Sequence, residues 1–136
     1  MMESETLPFE FTAYYTPEMG PNLLRKFVAF KKLISPERLA AAKIFTNRLE
    51  KTYTQKGKRR INLDPGILTL AKVILASTKD FSHRIYLNSG VYAEVTLLFR
   101  KGRFEALPWT YPDYRTEPYL KFFRILRDGF LIGVTK

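Results

Sequence analysis

The residues best equipped for chemistry in this chain fall into three short groups. The densest is Lys79-Asp80-Phe81-Ser82-His83-Arg84. Lys79 and Arg84 can hold an anionic group there, while the His83 imidazole, with an ordinary pKa of about 6.5, can exchange a proton near neutrality. The second group, Trp109-Thr110-Tyr111-Pro112-Asp113-Tyr114-Arg115, follows Pro108 and is stiffened by two prolines. Trp109 and Tyr111 can stack a base or ring, Asp113 adds a carboxylate, and Arg115 can fork onto a phosphate or carboxylate. The third group is Asn62 with Asp64 and Glu94, two carboxylates that serve as acid and base only if their surroundings separate their pKa values.

Each group also has a plainer reading. His83 can pack on an apolar face while Arg84 pairs with Glu94 across two strands. The Trp109 to Arg115 segment can be a rigid connection whose aromatics cover a sheet, and Asp64, before Pro65-Gly66, can be a turn residue. A fourth cluster, Lys56, Lys58, Arg59 and Arg60, with Lys51 one turn back, is the best local footprint for nucleic acid. It has only Tyr53 as an aromatic neighbour, so a solvated loop is its plainer reading.

Composition narrows the chemistry further. The 136 residues contain no cysteine and one histidine, which removes thiol nucleophiles, disulfides, cysteine-ligated metals and two-histidine metal motifs. No metal site and no cofactor are expected. All 23 Lys and Arg lie after residue 18, against 9 of the 13 acids, so this stretch carries a positive field that attracts phosphate-bearing partners. The amino terminus has acids where a signal peptide has cations, and the longest nearly apolar stretch, Gly66 to Ala76, falls short of the ~20 residues of a membrane helix. A cytoplasmic protein that does not enter membranes is expected.

These groups need elements to position them. Phe9 to Tyr15 alternates as a strand does, and Leu24 to Leu33 also reads as a strand. Ser35-Pro36-Glu37 is a helix start, and a helix of about 36 to 53 follows, its apolar stripe Leu39, Ala42, Phe45 and Leu49 and its polar side Lys43, Asn47, Glu50 and Lys51. Asp64-Pro65-Gly66 is a turn, and Ile67 to Thr78 suits a buried strand or a helix. His83 to Leu87, Val91 to Phe99 and Arg103 to Leu107 make a three-stranded meander. A three-residue loop at 88 to 90 sets Leu87 opposite Val91, Ile85 opposite Ala93 and His83 opposite Val95 on an apolar face. Tyr86 and Tyr92, and Arg84 and Glu94, then meet on the other. Thr116-Glu117-Pro118 opens a last helix of about 117 to 128, striped by Tyr119, Phe122, Phe123 and Leu126 and ended by Gly129. The class is α+β: a mostly antiparallel sheet, a carboxy-terminal meander and two main helices in a single domain of residues 1 to 136.

The runs NLDPGILTLAK (62 to 72), STKDFSHRIYL (77 to 87), YAEVTLLFRKGRFE (92 to 105) and LPWTYPDYR (107 to 115) resemble the bacterial domain of unknown function 4416 family. FEFTAYYTPEMG (9 to 20) and the FVAF-to-TNRLE segment (27 to 50) look like its earlier part. The resemblance implies no activity. It implies a ferredoxin-like strand order followed by the meander, truncated here because the family's first strand and helix are missing ahead of Phe9. A sheet edge left bare in this way would favour a homo-oligomer. The residues together point to a phosphate-bearing ligand, nucleotide or nucleic acid, between the 79–84 and 109–115 loops. The alternatives are a small enzyme using His83 or Asp64 and Glu94 with Lys79 and Arg115 as anion holders, and a structural or interaction domain.

Overall fold

The structure, a computed structural model, describes residues 1–135. Its frame is a five-stranded antiparallel sheet: β5 (Gly66–Leu68), β6 (Lys72–Ser77), β7 (Ile85–Asn88), β8 (Val91–Arg100) and β9 (Arg103–Ala106). β6 runs along one edge of β8, and β7 and β9 follow one another along the other edge. Ile67 to Thr78 is thus a hairpin of two strands, with β5 outermost. Gly66 opens β5 opposite Leu75, where a Cβ would come within 2.6 Å of the Ile74 carbonyl oxygen, so it serves close approach of two backbones rather than the turn.

The meander connections are two-residue turns. Ser89 and Gly90 have φ of +53° and +77°, and Lys101 and Gly102 repeat the pattern at +54° and +79°. Positive φ at both central positions gives the type I′ twist that matches paired strands. Asn88 therefore faces Val91, and a shift at Leu87 restores the expected pairings of Tyr86 with Tyr92 and Ile85 with Ala93. The expected apolar face does not extend along β7: Ile85 is 72% exposed, because the helices pack over β6, β8 and β9 instead.

One helix covers each face of the sheet. α1 (Thr16–Met19) is a single turn; α2 (Leu39–Thr52) follows the 3-10 turn Pro36–Arg38, as Ser35-Pro36-Glu37 predicts. α2 sets Leu39 and Ala40 against Ala76 and Val91, with Ile74 and Ala93 beside them. α3 (Glu117–Thr135) sets Tyr119, Phe122 and Phe123 against Val73, Leu97, Phe104 and Tyr114. Neighbouring residues of β6 thus serve opposite layers, the two-residue period of a strand buried on both sides. Gly129 does not end α3, which continues to Thr135; an internal glycine costs only about 1 kcal/mol, and the apolar Phe130, Leu131 and Ile132 follow it.

α2 is turned relative to the sequence expectation. Lys43 and Glu50 are buried, whereas Phe45 is 60% exposed. The first turn fills the space over the small side chains Ala76 and Val91, and the later turns reach past the apolar sheet to polar partners. Lys43 donates to the Leu63 carbonyl (3.3 Å) and lies 3.8 Å from Asp64, and Glu50 lies 3.6 Å from Arg59.

The amino-terminal segment carries β1 (Met2–Glu3), β2 (Leu7–Pro8), β3 (Leu24–Arg25) and β4 (Val28–Ala29), paired β1 with β4 and β2 with β3 and separate from the main sheet. Phe9 to Tyr15 is not a strand. Its rings cluster on one another, Phe9 with Phe11 at 5.9 Å and with Tyr15 at 6.0 Å, as the chain bends into α1. Leu24 to Leu33 holds two short strands around Phe27, whose ring enters the α3 cluster 4.7 Å from Tyr119 and 5.1 Å from Phe123. Every pairing among the described strands is antiparallel, so the parallel crossover of a ferredoxin-like order is absent from them.

Candidate functional site

The β5–β6 pairing ends at Gly66, Pro65 accepts one more bond from the Ala76 amide, and beyond that point a cavity of about 590 Å³ opens along the end of β6. Its floor is the inward stripe of α2, Lys43, Asn47 and Glu50, at i, i+4 and i+7. Arg59, Asn62 and Asp64 continue the floor, and the amino-terminal segment roofs the cavity with Phe9, Phe11, Tyr14, Tyr15 and Arg25. The far wall is Lys79, Phe81, Arg84 and Glu94 with Tyr111 to Tyr114.

Arg84 joins that wall together. Its side chain is 3% exposed, and its guanidinium donates to Glu94 Oε1 (3.1 Å), Ser77 Oγ (2.9 Å), the Lys79 carbonyl (3.1 Å) and Tyr111 Oη (3.1 Å). The Phe81 ring covers it at 4.3 Å. Glu94, equally buried, also meets His83 Nε2 at 2.7 Å and accepts from Thr96 Oγ1 at 3.2 Å. The Arg84 and Glu94 pair is as the sequence suggests, but His83 does not lie opposite Val95. β7 begins only at Ile85, and a turn closed by the Arg84 amide on the Phe81 carbonyl swings His83 to the Glu94 side. There it stacks on Trp109, ring centres 5.0 Å apart and 17° from parallel.

The second loop is held from within. Trp109 Nε1 donates to the Val95 carbonyl (2.8 Å). Arg115 donates to the carbonyls of Thr110 (3.0 Å), Leu107 (2.7 Å) and Pro108 (3.3 Å), so it clips its own loop rather than projecting toward a ligand. Asp113 is buried 3.3 Å from Arg25, whose guanidinium lies 4.6 Å over Phe9. Burial pushes the Asp113 carboxyl above its ordinary range despite that partner, and holds the Tyr119 phenol up at about 12.

Of the candidate residues, Asp64, Lys79, Arg84, Glu94, Tyr111 and Asp113 line the cavity, while His83, Trp109 and Arg115 brace the two loops behind it. The basic cluster divides: Gln55 and Lys58 close a tight hairpin, and Arg59 turns inward to Glu18 (2.8 Å) and Asn62 (2.9 Å). Sequence reasoning missed Lys43, Asn47 and Glu50, which it assigned to solvent. No signal within α2 marked them, because the partners Leu63, Asp64 and Arg59 that accompany their burial lie beyond the helix.

An α+β fold with two main helices, its central sheet antiparallel and a polar-floored cavity at the end of β6, is the class that these features define. The model of the domain of unknown function family (DUF4416) matches residues 1–130, and the chain belongs to that family. Searches of curated proteins and of solved structures returned no match. Among the described residues, no helix is long and apolar enough to cross a membrane, and no group of three or more His, Asp or Glu side chains is placed to hold a metal ion.

Proposed function

We propose that this chain binds one phosphate-bearing small molecule of nucleotide size in the cavity. The observation that carries the reading is the cavity itself, whose 590 Å³ falls in the range of small-ligand sites and whose walls include Tyr14, Tyr15, Phe81 and Tyr111. Lys79 is exposed at the wall, with its ammonium on a phenol oxygen, Tyr14 Oη at 3.2 Å, which leaves two protons for an anion. Extended nucleic acid has less support, because Arg59, Arg84 and Arg115 are all committed to partners within the protein. Catalysis by His83, Asp64 and Glu94 also has less, since Glu94 already serves His83, Arg84 and Thr96.

Titration calorimetry with nucleoside monophosphates and oligonucleotides at two salt concentrations tests the reading. Mononucleotides are expected to bind, and Lys79→Ala to weaken them about tenfold, the scale of one charge-assisted hydrogen bond. No heat from any mononucleotide at low salt, or an affinity that rises with oligonucleotide length, overturns it.

A further inference from the structure

The polar groups of the cavity are unequally satisfied. On the wall, Arg84 makes four hydrogen bonds and Glu94 accepts three, and Asp113 Oδ2, which makes none among the described residues, has the Arg25 guanidinium at 3.3 Å. On the floor, Glu50 Oε2 is fully buried and makes no hydrogen bond among the described residues; its nearest cation, Arg59 Nη1, stands off at 3.6 Å. Lys43 Nζ has one hydrogen bond, to Leu63, of the three it can give. Asn47, one turn from each, lines the cavity and has no side-chain hydrogen bond among the described residues. A buried polar oxygen without a donor costs about 1–3 kcal/mol, so the arrangement asks for a partner that the protein does not provide.

We infer that this floor recognises vicinal hydroxyl groups, and that the ligand is a phosphorylated sugar, free or within a nucleotide. The inference rests on the phosphate reading above and adds the group at the other end of the molecule. A hydroxyl both donates and accepts, and the three side chains offer a vacant acceptor, spare donors and a carboxamide with one of each, in a row along one helix face. A second phosphate is disfavoured, because Glu50 and Asp64 would repel it while the floor's cations, Lys43 and Arg59, are already paired with acids. A purely apolar group would leave Glu50 Oε2 without a donor. Carboxylate acceptance from sugar hydroxyls is an established mode of ribose binding.

Calorimetry with ribose 5-phosphate, glucose 6-phosphate and methyl phosphate separates the two claims. At least one sugar phosphate is expected to bind ten times tighter than methyl phosphate, which has no hydroxyl group. Asn47→Ala and Glu50→Gln should each remove most of that margin and leave methyl phosphate unaffected. Thermal melts identify any variant that fails to fold, and Glu50→Gln is expected to melt no lower than the parent. If methyl phosphate binds as tightly as both sugar phosphates, or if the margin survives in both variants, the hydroxyl assignment is wrong and the phosphate reading stands. If none of the three binds while a nucleoside monophosphate does, the hydroxyl assignment is wrong and the phosphate reading stands; if no nucleoside monophosphate binds either, both fall.

Discussion

Arg84 and Glu94 are each 3% exposed, and each is satisfied mainly by groups that the other helps to place. Replacing one partner of a buried pair leaves the other charge uncompensated, at about 3–5 kcal/mol. Glu94→Ala is expected to lose stability on that scale in urea denaturation, and to release His83 and Arg84 together, whereas Glu94→Gln keeps the packing and loses less. The carboxylates around α2 differ in sign. Hydrogen bonds from Arg59 hold Glu18 below its ordinary 4.5, so its contribution is present above 4.5 and is lost as pH falls through the lowered value. Burial raises Glu50 in spite of Lys43 and Arg59, so its contribution is full below 4.5 and is lost as pH rises through the raised value. Glu50→Gln should therefore equal or exceed the parent in stability at pH 7, with the difference closing toward pH 4; a variant less stable at pH 7 than at pH 4, relative to the parent, contradicts this.

At the scale of elements, α2 shows where sequence pattern is informative and where it stops. The helical turn at Pro36 that leads into α2 was legible because proline's φ restriction acts locally, although Ser35 makes no capping hydrogen bond. The rotation of α2 was not, because Leu39, Ala42, Phe45 and Leu49 make the better apolar stripe, and the burial of Lys43 and Glu50 depends on Arg59, Leu63 and Asp64 beyond the helix. The observed rotation predicts that Phe45→Lys changes stability by less than about 0.5 kcal/mol, while Leu39→Ala costs about 2–5 kcal/mol, both read from denaturant midpoints. The β7–β8 pairing was legible at Tyr86 with Tyr92 and Ile85 with Ala93, since cross-strand partners follow from counting. Leu87 and His83 escaped that counting: the two-residue turn gives Val91 to Asn88, and the turn that Arg84 closes ahead of β7 brings His83 to Glu94. Of the site, the loops were visible as clusters of polar and aromatic residues, and the roof was not, since Phe9 to Tyr15 alternates like a strand while its rings pack among themselves.

Across the whole molecule, the roof is tied to the body by a few side chains rather than by the sheet. Tyr14 meets Lys79, Glu18 meets Arg59, Arg25 meets Asp113, and Phe27 inserts among the α3 rings. Two-residue strands protect few amides, so hydrogen exchange in residues 1–30 should run well ahead of β6 and β8. Arg59→Ala should speed it further near Glu18 and leave β8 unchanged; equal protection of both regions would show the roof to be part of the cooperative core. The chain has one tryptophan, and it lies stacked on the one histidine at the junction of the two loops behind the cavity. Tryptophan emission, excited on the red edge where the eight tyrosines do not absorb, is consequently a single-position signal, and any molecule that pries those loops apart will announce itself in the spectrum without a label.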